Sequence, residues 1–223
     1  DVPAAENQNG IFGYGTTGSY VSLTNLVSNA GVVATDVTGV GTARSYLAGT
    51  QYGGDKGIFG YGYTGSAVSM TNLVSNAGVV ATDTTGVGTA RGYLAACEYG
   101  GDKGIFGYGY SPVSMTNLVS NVGVVSTDVT GVGTARGYLA ACEYGTDKAI
   151  FGYGWTSGYV SMTNLVSNAG VVATDVTGVG TSRGRLAACG YGYDKGIFGY
   201  GTTGSDVSLT NLVSNSGVVA TDT

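Results

Sequence analysis

The sequence predicts an all-β fold, a five-bladed β-propeller built from near-identical four-stranded repeats of about 47 residues. The main observation is the pentapeptide Ile-Phe-Gly-Tyr-Gly, which occurs five times at intervals of 47, 47, 45 and 47 residues. Between its copies, four short apolar or alternating runs are separated by turn residues, which is the pattern of a propeller blade. No stretch has the uninterrupted alanine, leucine and methionine content of an ordinary helix. The pentapeptides begin at Ile11, Ile58, Ile105, Ile150 and Ile197.

The third unit illustrates the four predicted strands. Its first run is apolar and aromatic, its second contains the pentapeptide, its third alternates apolar with polar side chains, and its fourth is rich in valine. A glycine-rich turn separates the first two runs, and Gly123 favours a hairpin before the last because glycine adopts positive φ without strain. The four runs cover residues 93–99, 105–108, 113–119 and 124–128.

The chain is expected to form one repeat domain over residues 1–223. Residues 1–9 do not match the first run of the other units, so we expect four full blades and a shortened first blade, with the last outer strand closing the ring against blade one. An open β-solenoid or one segment of a polymer is the alternative; a solenoid needs polar caps, and the sequence has no distinct cap. The predicted blades cover approximately residues 1–43, 44–90, 91–135, 136–182 and 183–223.

Three motifs of the unit resemble those of kelch-type repeats. In that family a Thr-x-Arg segment leads into an inner strand of small residues, and Thr89-Ala90-Arg91 followed by Leu94-Ala95-Ala96 is similar to it. A later strand of the family ends in paired glycines, and it resembles Ile105-Phe106-Gly107-Tyr108-Gly109. The resemblance covers the whole chain and implies a β-propeller. Here, however, Tyr108 separates the glycines, and Val124-Val125 stands where an outer-strand tryptophan is usual. The repeated Thr-Asn-Leu-Val-Ser-Asn-x-Gly-Val-Val segments also look like uncharacterised repeat proteins of phage and environmental origin.

Composition and charge argue against some classes of partner. Only 10% of the residues are charged, and the formal net charge is −5 with a pI near 4.4, whereas nucleic-acid binding needs a basic surface. No apolar run approaches the ~18 residues of a membrane-spanning helix. Cys97, Cys142 and Cys189 occupy one slot of the repeat, so we expect small buried thiols rather than a disulfide framework.

Most charged residues recur at fixed positions of the repeat and are therefore predicted to be structural. Aspartates of one slot lie eight residues before an arginine, as in Asp83 and Arg91. We expect each to tie consecutive blades through hydrogen bonds to the arginine or the backbone, because partly buried charges need partners. Adjacent pairs such as Asp102-Lys103 lie in turns and are expected to be solvated. The predicted inter-blade residues are Asp36, Arg44, Asp83, Arg91, Asp128, Arg136, Asp175 and Arg183.

The same regularity argues against catalysis. The sequence contains no histidine, which excludes Ser-His-Asp and Cys-His catalysis. Glycosidases need two carboxylates in different environments, whereas equivalent positions of a repeat have equivalent environments. The lone cysteines lack zinc-ligand spacing, and the Thr-Asp-Val-Thr-Gly-Val-Gly segments lack the glutamate or lysine of a calcium or phosphate loop. We therefore expect no catalytic residue, no metal and no cofactor.

Differences between the units concentrate in the loop after each pentapeptide, where Tyr63, Tyr110 and Trp155 are candidate ligand-binding residues. Aromatic side chains suit the stacking of sugar rings, and repeated shallow sites gain strength through multivalency. The plainer interpretation is that they only cover the rim.

The function favoured by the sequence is that of a non-enzymatic structural or interaction scaffold, in a phage or an extracellular assembly. Its partners would be other protein subunits, including further copies of the chain, and its location extracellular or virion-associated. One alternative is a multivalent, lectin-like propeller that binds surface glycans. Another is a designed or recently amplified propeller without a ligand, because consensus repeats are readily designed.

Overall fold

The computed structural model describes residues 9–223 of the chain. These residues form fourteen β-strands in five antiparallel sheets and contain no helix. The predicted all-β class and the predicted repetition are confirmed, because one arrangement of strands recurs along the chain. Residues 1–8, on which the prediction of a shortened first blade depends, lie outside the described residues.

The strands fall into five units. Unit one contains β1 (Gly10–Thr16) and β2 (Tyr20–Val27). Each later unit contains three strands, which we call, in chain order, the inner, the middle and the third strand. In unit one, β1 corresponds to the middle strand and β2 to the third strand. Unit two contains β3 (Ala48–Tyr52), β4 (Lys56–Gly60) and β5 (Thr71–Val74). Unit three contains β6 (Ala95–Tyr99), β7 (Lys103–Gly107) and β8 (Thr116–Val119). Unit four contains β9 (Ala140–Tyr144), β10 (Lys148–Gly152) and β11 (Thr163–Val166). Unit five contains β12 (Ala187–Tyr191), β13 (Lys195–Gly199) and β14 (Thr210–Val213).

The middle strand lies at the centre of each three-stranded sheet. In unit three, Ile105 of β7 lies opposite Cys97 of β6 on one side and Leu118 of β8 on the other. Both Ile105 and Phe106 are fully buried although their side chains point to opposite faces of the sheet. Two adjacent apolar residues such as this Ile-Phe pair are therefore suited to a strand that neighbouring units cover on both faces.

The prediction of four strands per unit is wrong, since the fourth run forms only isolated bridges. In unit two these bridges join Val74 to Val80 and Thr71 to Thr84. The backbone hydrogen bonds run from Ala81 N to Leu73 O and from Thr84 N to Thr71 O, so three residue steps on one strand face two on the other. Such a mismatch is a bulge, and it prevents a continuous ladder.

The third strand is also shorter than predicted. The alternating run over residues 113–119 is paired as a strand only from Thr116 to Val119. The reason is that its partner, β7, ends at Gly107, where Tyr108 and Gly109 adopt φ values of 62° and 137° that are incompatible with extended pairing. The same positive φ recurs at Tyr61, Tyr153 and Tyr200. It also occurs at Tyr14, where a register shift interrupts the pairing of β1 with β2, which resumes at Gly15.

Successive units are joined where a phenylalanine ring of one unit covers the first pentapeptide glycine of the unit before it. A Cβ added to Gly107 would lie 2.5 Å from Cζ of Phe151, whose side chain is fully buried. The first pentapeptide glycine therefore leaves the space that the ring of the next unit occupies. We call this contact the phenylalanine–glycine joint. Its four copies are Gly13–Phe59, Gly60–Phe106, Gly107–Phe151 and Gly152–Phe198.

A fifth phenylalanine–glycine joint, between unit five and unit one, is not formed. The side chain of Phe12 is 64% exposed, whereas its four equivalents are buried. A Cβ added to Gly199 would contact only Thr210, at 3.6 Å. The structure thus shows five units connected by four joints, without the contact that would close a ring.

Candidate functional site

A buried arginine connects each unit to the one before it. Arg91 donates hydrogen bonds from Nε to the Tyr108 carbonyl (2.7 Å), from Nη1 to the Thr89 carbonyl (2.9 Å) and from Nη2 to Oδ1 of Asn117 (2.6 Å). Its guanidinium also lies over the ring of Tyr61, 4.3 Å from the centroid, and Tyr61 belongs to the preceding unit. We call this arrangement the arginine joint. It recurs at Arg44, Arg136 and Arg183.

An aspartate completes each arginine joint, but its partner is not the arginine that the sequence suggested. The Asp128 carboxylate accepts hydrogen bonds from the Thr89 backbone N–H (3.0 Å), the Thr89 hydroxyl (2.7 Å) and the Asn117 amide (3.0 Å). It lies 3.9 Å from Nη1 of Arg91, not beside Arg136, eight residues further on. The reason is that the fourth run folds back over the third strand towards the start of its own unit. The observed pairs are Arg44–Asp83, Arg91–Asp128, Arg136–Asp175 and Arg183–Asp222.

The electrostatics of the arginine joint keep its members in one protonation state. Burial by itself would raise the pKa of Asp128, but the hydrogen bonds from Thr89 and Asn117 and the charge of Arg91 bring it below the ordinary value of 3.8. Burial lowers the pKa of Arg91, although the nearby Tyr61 and Asp128 oppose this. Burial also raises the pKa of Tyr61 to about 12. At neutral pH the joint therefore holds a charged pair and a neutral tyrosine.

The Asp-Lys pairs of the turns lie at the surface. Lys103 Nζ is 2.7 Å from Asp102 Oδ1, and the two side chains are 40% and 37% exposed. Asn121 also donates a hydrogen bond to Asp102, at 3.0 Å. Because solvent screens exposed pairs of this kind, the ion pairs themselves contribute little to stability.

The three predicted ligand-binding aromatics occupy equivalent places in successive units and do not form one site. Tyr63 is half-buried with its ring 6.4 Å from that of Tyr20. Trp155 is half-buried and stands edge-on against Tyr159, with 4.7 Å between the ring centroids. Tyr110 is 47% exposed and belongs to a larger aromatic surface.

That larger surface is built on a ladder of stacked side chains, one from each of four units. The ring centroids of Tyr46 and Tyr93 are 3.9 Å apart, and those of Tyr93 and Tyr138 are 4.4 Å apart. The guanidinium of Arg185 lies 5.0 Å from the Tyr138 ring and continues the series. We call these four residues the tyrosine stack.

Backbone geometry fixes the tyrosine stack. Its four residues all have φ of 55–56°, which turns the chain from the buried arginine into the inner strand. In the last three, the N–H donates to the carbonyl of the equivalent residue one unit earlier, at 2.9 Å for Tyr93 to Tyr46, 3.0 Å for Tyr138 to Tyr93 and 2.8 Å for Arg185 to Tyr138. The spacing of the rings therefore follows from the spacing of the units.

Tyr110 stands edge-on against this stack, 5.9 Å from the Tyr93 ring and 5.6 Å from the Tyr138 ring. Tyr46 is 45% exposed, and burial raises the pKa of Tyr93 above its ordinary value. The surface thus offers aromatic faces and phenol hydroxyls, which suit a ring-bearing, hydroxyl-rich ligand. The sequence reasoning missed the stack; the available signal was the slot two residues after each arginine, which holds tyrosine in three units and arginine in the fourth.

A cavity of about 1160 Å³ is lined by the inner strands and by β1. The three cysteines are among its lining residues, but the prediction that all are buried is wrong for Cys189. This residue is exposed because, within residues 9–223, no later unit packs on β12 as β12 packs on β9. Burial raises the pKa of the Cys142 thiol to about 12, so this group is protonated at neutral pH. Among residues 9–223 no group of three histidine, cysteine or acidic side chains is placed to hold a metal ion.

No protein-family model matches the chain, and no curated protein is significantly similar to it. Within the part of the chain that is described, no helix is long and apolar enough to cross a bilayer.

Proposed function

We propose that the chain is a non-enzymatic structural and interaction scaffold. The observation that carries this proposal is the arginine joint, which is repeated four times with nearly the same geometry. The distance from the terminal guanidinium nitrogen to the asparagine oxygen is 2.6 Å in every copy. The buried charges of the described residues are used to hold one unit against the next, which favours rigidity over reactivity.

The architecture that we propose is a five-bladed, kelch-type propeller. Four equivalent joints and a cavity lined by successive inner strands support it, and one further joint between units five and one would complete the ring. The fourth run of each unit, although reduced to bridges, occupies the outer position of a blade.

The absence of histidine from the sequence, the structural use of the recurring aspartates and the protonated buried thiol support a role without catalysis. A surface rich in glycine, serine, threonine and tyrosine, with few charges, suits a building block of a virion or an extracellular assembly. Its partners would be other subunits, including further copies of this chain.

Size-exclusion chromatography with light scattering, followed by negative-stain imaging, tests the scaffold proposal. We expect the 22.2 kDa chain to associate into rings or filaments as its concentration rises. Discs that stay monomeric at every concentration and bind no other protein subunit would contradict an assembly role.

The tyrosine stack favours carbohydrate binding as a second candidate function, because Tyr110, Tyr93 and Tyr138 present adjacent rings. Isothermal titration with a panel of hexose and N-acetylhexosamine oligosaccharides tests it. We expect Tyr110→Ala to weaken binding about fivefold, since an aromatic contact contributes about 1 kcal/mol. Trp155→Ala is the matched control, because Trp155 has the same position one unit later but lies outside the stack. Absence of binding at about 1 mM glycan would exclude this function.

A further inference from the structure

One edge of β1 is free within the described residues. In units two to five the middle strand pairs with the inner strand on one edge and with the third strand on the other. β1 pairs with β2 alone, and the residues from Asn9 to Gly13 line the cavity of about 1160 Å³. An unpaired edge presents a row of backbone N–H and C=O groups that can accept another strand.

The glycine that follows the turn lysine in units two, three and five shows which residues pack against the middle strand from the preceding unit. In unit three, a Cβ added to Gly104 would lie 2.7 Å from Cγ2 of Thr50, on the inner strand of the preceding unit. In unit five, Gly196 lies in the same way beneath Cys142, at 2.6 Å. Gly57 is the equivalent residue of unit two, and its nearest atoms belong to Val74 and Thr50 of its own unit. The cavity beside Gly57 therefore has the position of an inner strand of unit one.

Units one and five also carry the acceptor groups of an arginine joint. Among the described residues, the Asp36 side chain is hydrogen-bonded by Asn25, at 2.8 Å, whereas its equivalent Asp83 also accepts bonds from the Thr42 backbone and hydroxyl. Tyr200 is 63% exposed, although the equivalent tyrosines of units two to four are fully buried beneath an arginine.

One continuous segment of the repeat supplies both a joint and an inner strand. In unit two this segment covers residues 38–56: Thr42 and Arg44 form the joint, and β3 follows directly. We propose that unit one, together with the exposed face of unit five, binds in trans an extended segment of this pattern from a partner chain. The pattern is Thr-x-Arg-x-Tyr-Leu, followed by two small residues, then threonine or cysteine, then any one residue, and finally tyrosine. The proposal rests on the scaffold function and specifies the partner's chemistry, which is strand addition to a sheet edge.

The pairing already present in the chain fixes the register of the bound segment. Gly49 lies opposite Phe59 and Thr50 opposite Ile58, so the corresponding residues of the segment lie opposite Phe12 and Ile11. A small residue is required opposite the phenylalanine, because a Cβ on Gly49 would come within 3.0 Å of the Phe59 ring.

In the same register, the other end of the segment completes the arginine joint. Its arginine lies over Tyr200 and donates to Asn25, and its threonine donates to Asp36. Binding thus joins unit five to unit one through the segment and covers the exposed edge of β1.

The test uses the full chain and a fluorescein-labelled peptide with the sequence of residues 38–56, which contains no cysteine. Fluorescence anisotropy is expected to show saturable binding with one peptide per chain. A peptide with proline in place of the threonine at position 50 removes one backbone donor and is expected to bind at least about tenfold more weakly. Asp36→Ala in the protein is expected to weaken binding about tenfold through the loss of charge-assisted hydrogen bonds, and the exposed Asp206→Ala serves as its matched control.

Three outcomes would overturn the proposal. They are absence of binding at about 1 mM peptide, equal binding of the proline peptide, and equal weakening of peptide binding by Asp36→Ala and Asp206→Ala. Because the scaffold proposal is judged on assembly of the chain alone, it can fail while peptide binding succeeds, or the reverse.

Discussion

Replacement of Gly107 by alanine tests the phenylalanine–glycine joint most directly. The new methyl group would lie 2.5, 2.9 and 3.0 Å from three carbons of the Phe151 ring. Because Phe151 is fully buried, its ring has no open space to move into. Overpacking of this kind costs about 1–3 kcal/mol, and alanine recovers about 0.5–1 kcal/mol because it restricts the unfolded chain.

We therefore expect a net loss of about 1–2 kcal/mol for Gly107→Ala, which lowers Tm by roughly 2–8 °C in a chain of this size. Gly199→Ala is the matched control: the local sequence is the same, but the new methyl group meets only Thr210, at 3.6 Å. Its expected effect is within about 0.5 kcal/mol. Circular dichroism melts and urea titrations of both variants measure the difference.

Equal stability of Gly107→Ala and the unmodified chain would refute the reasoning about the joint. A loss in Gly199→Ala as large as that in Gly107→Ala would have a different meaning. It would show that Phe12 packs on Gly199 in solution, so that the ring is closed there by the fifth joint.

Three further predictions concern the charged and thiol groups. Arg136→Lys is expected to destabilise the chain by about 2–3 kcal/mol in urea titrations, because lysine cannot reproduce the guanidinium hydrogen bonds; an unchanged midpoint would contradict the role of the joint. The pKa of Asp128 is lowered in the folded state, so its contribution to stability is present above pH 3.8 and is lost as the pH falls through the folded-state pKa. Asp128→Asn should therefore show a weaker acid dependence of Tm than the unmodified chain. Identical profiles of Tm against pH would count against this. Cys189 is expected to react with a thiol reagent in the native protein while Cys97 and Cys142 react only on unfolding, as mass spectrometry of the labelled chain would show; equal labelling of all three would mean that the inner strands are accessible.

The fold class and the repeated unit were predictable because they depend on local signals that recur five times. The Ile-Phe pair identified the middle strand. The number of strands was not predictable from the same runs. The valine-rich fourth run has the composition of a strand, but its length relative to the third strand decides whether a ladder forms, as Ala81 and Thr84 show.

The candidate site was only partly predictable. Tyr110 was singled out because its loop varies, whereas Tyr93 was passed over because its slot scarcely varies between units. Stacking between equivalent residues requires knowledge of the distance between units, which the sequence of one unit does not contain. The partner of Asp128 was mispredicted for a related reason, since closeness in sequence to Arg136 was taken for closeness in space.

The similarity of the four phenylalanine–glycine joints has a consequence for the way the chain reaches its structure. Gly60 receives the ring of Phe106 in nearly the same way as Gly107 receives the ring of Phe151, so local complementarity does not identify the correct neighbour. Only the short connection between consecutive units favours the right choice, because it brings adjacent units together first. We expect mispairing to be most frequent when all units refold at once from denaturant, and rarest when each unit folds in turn as it leaves the ribosome.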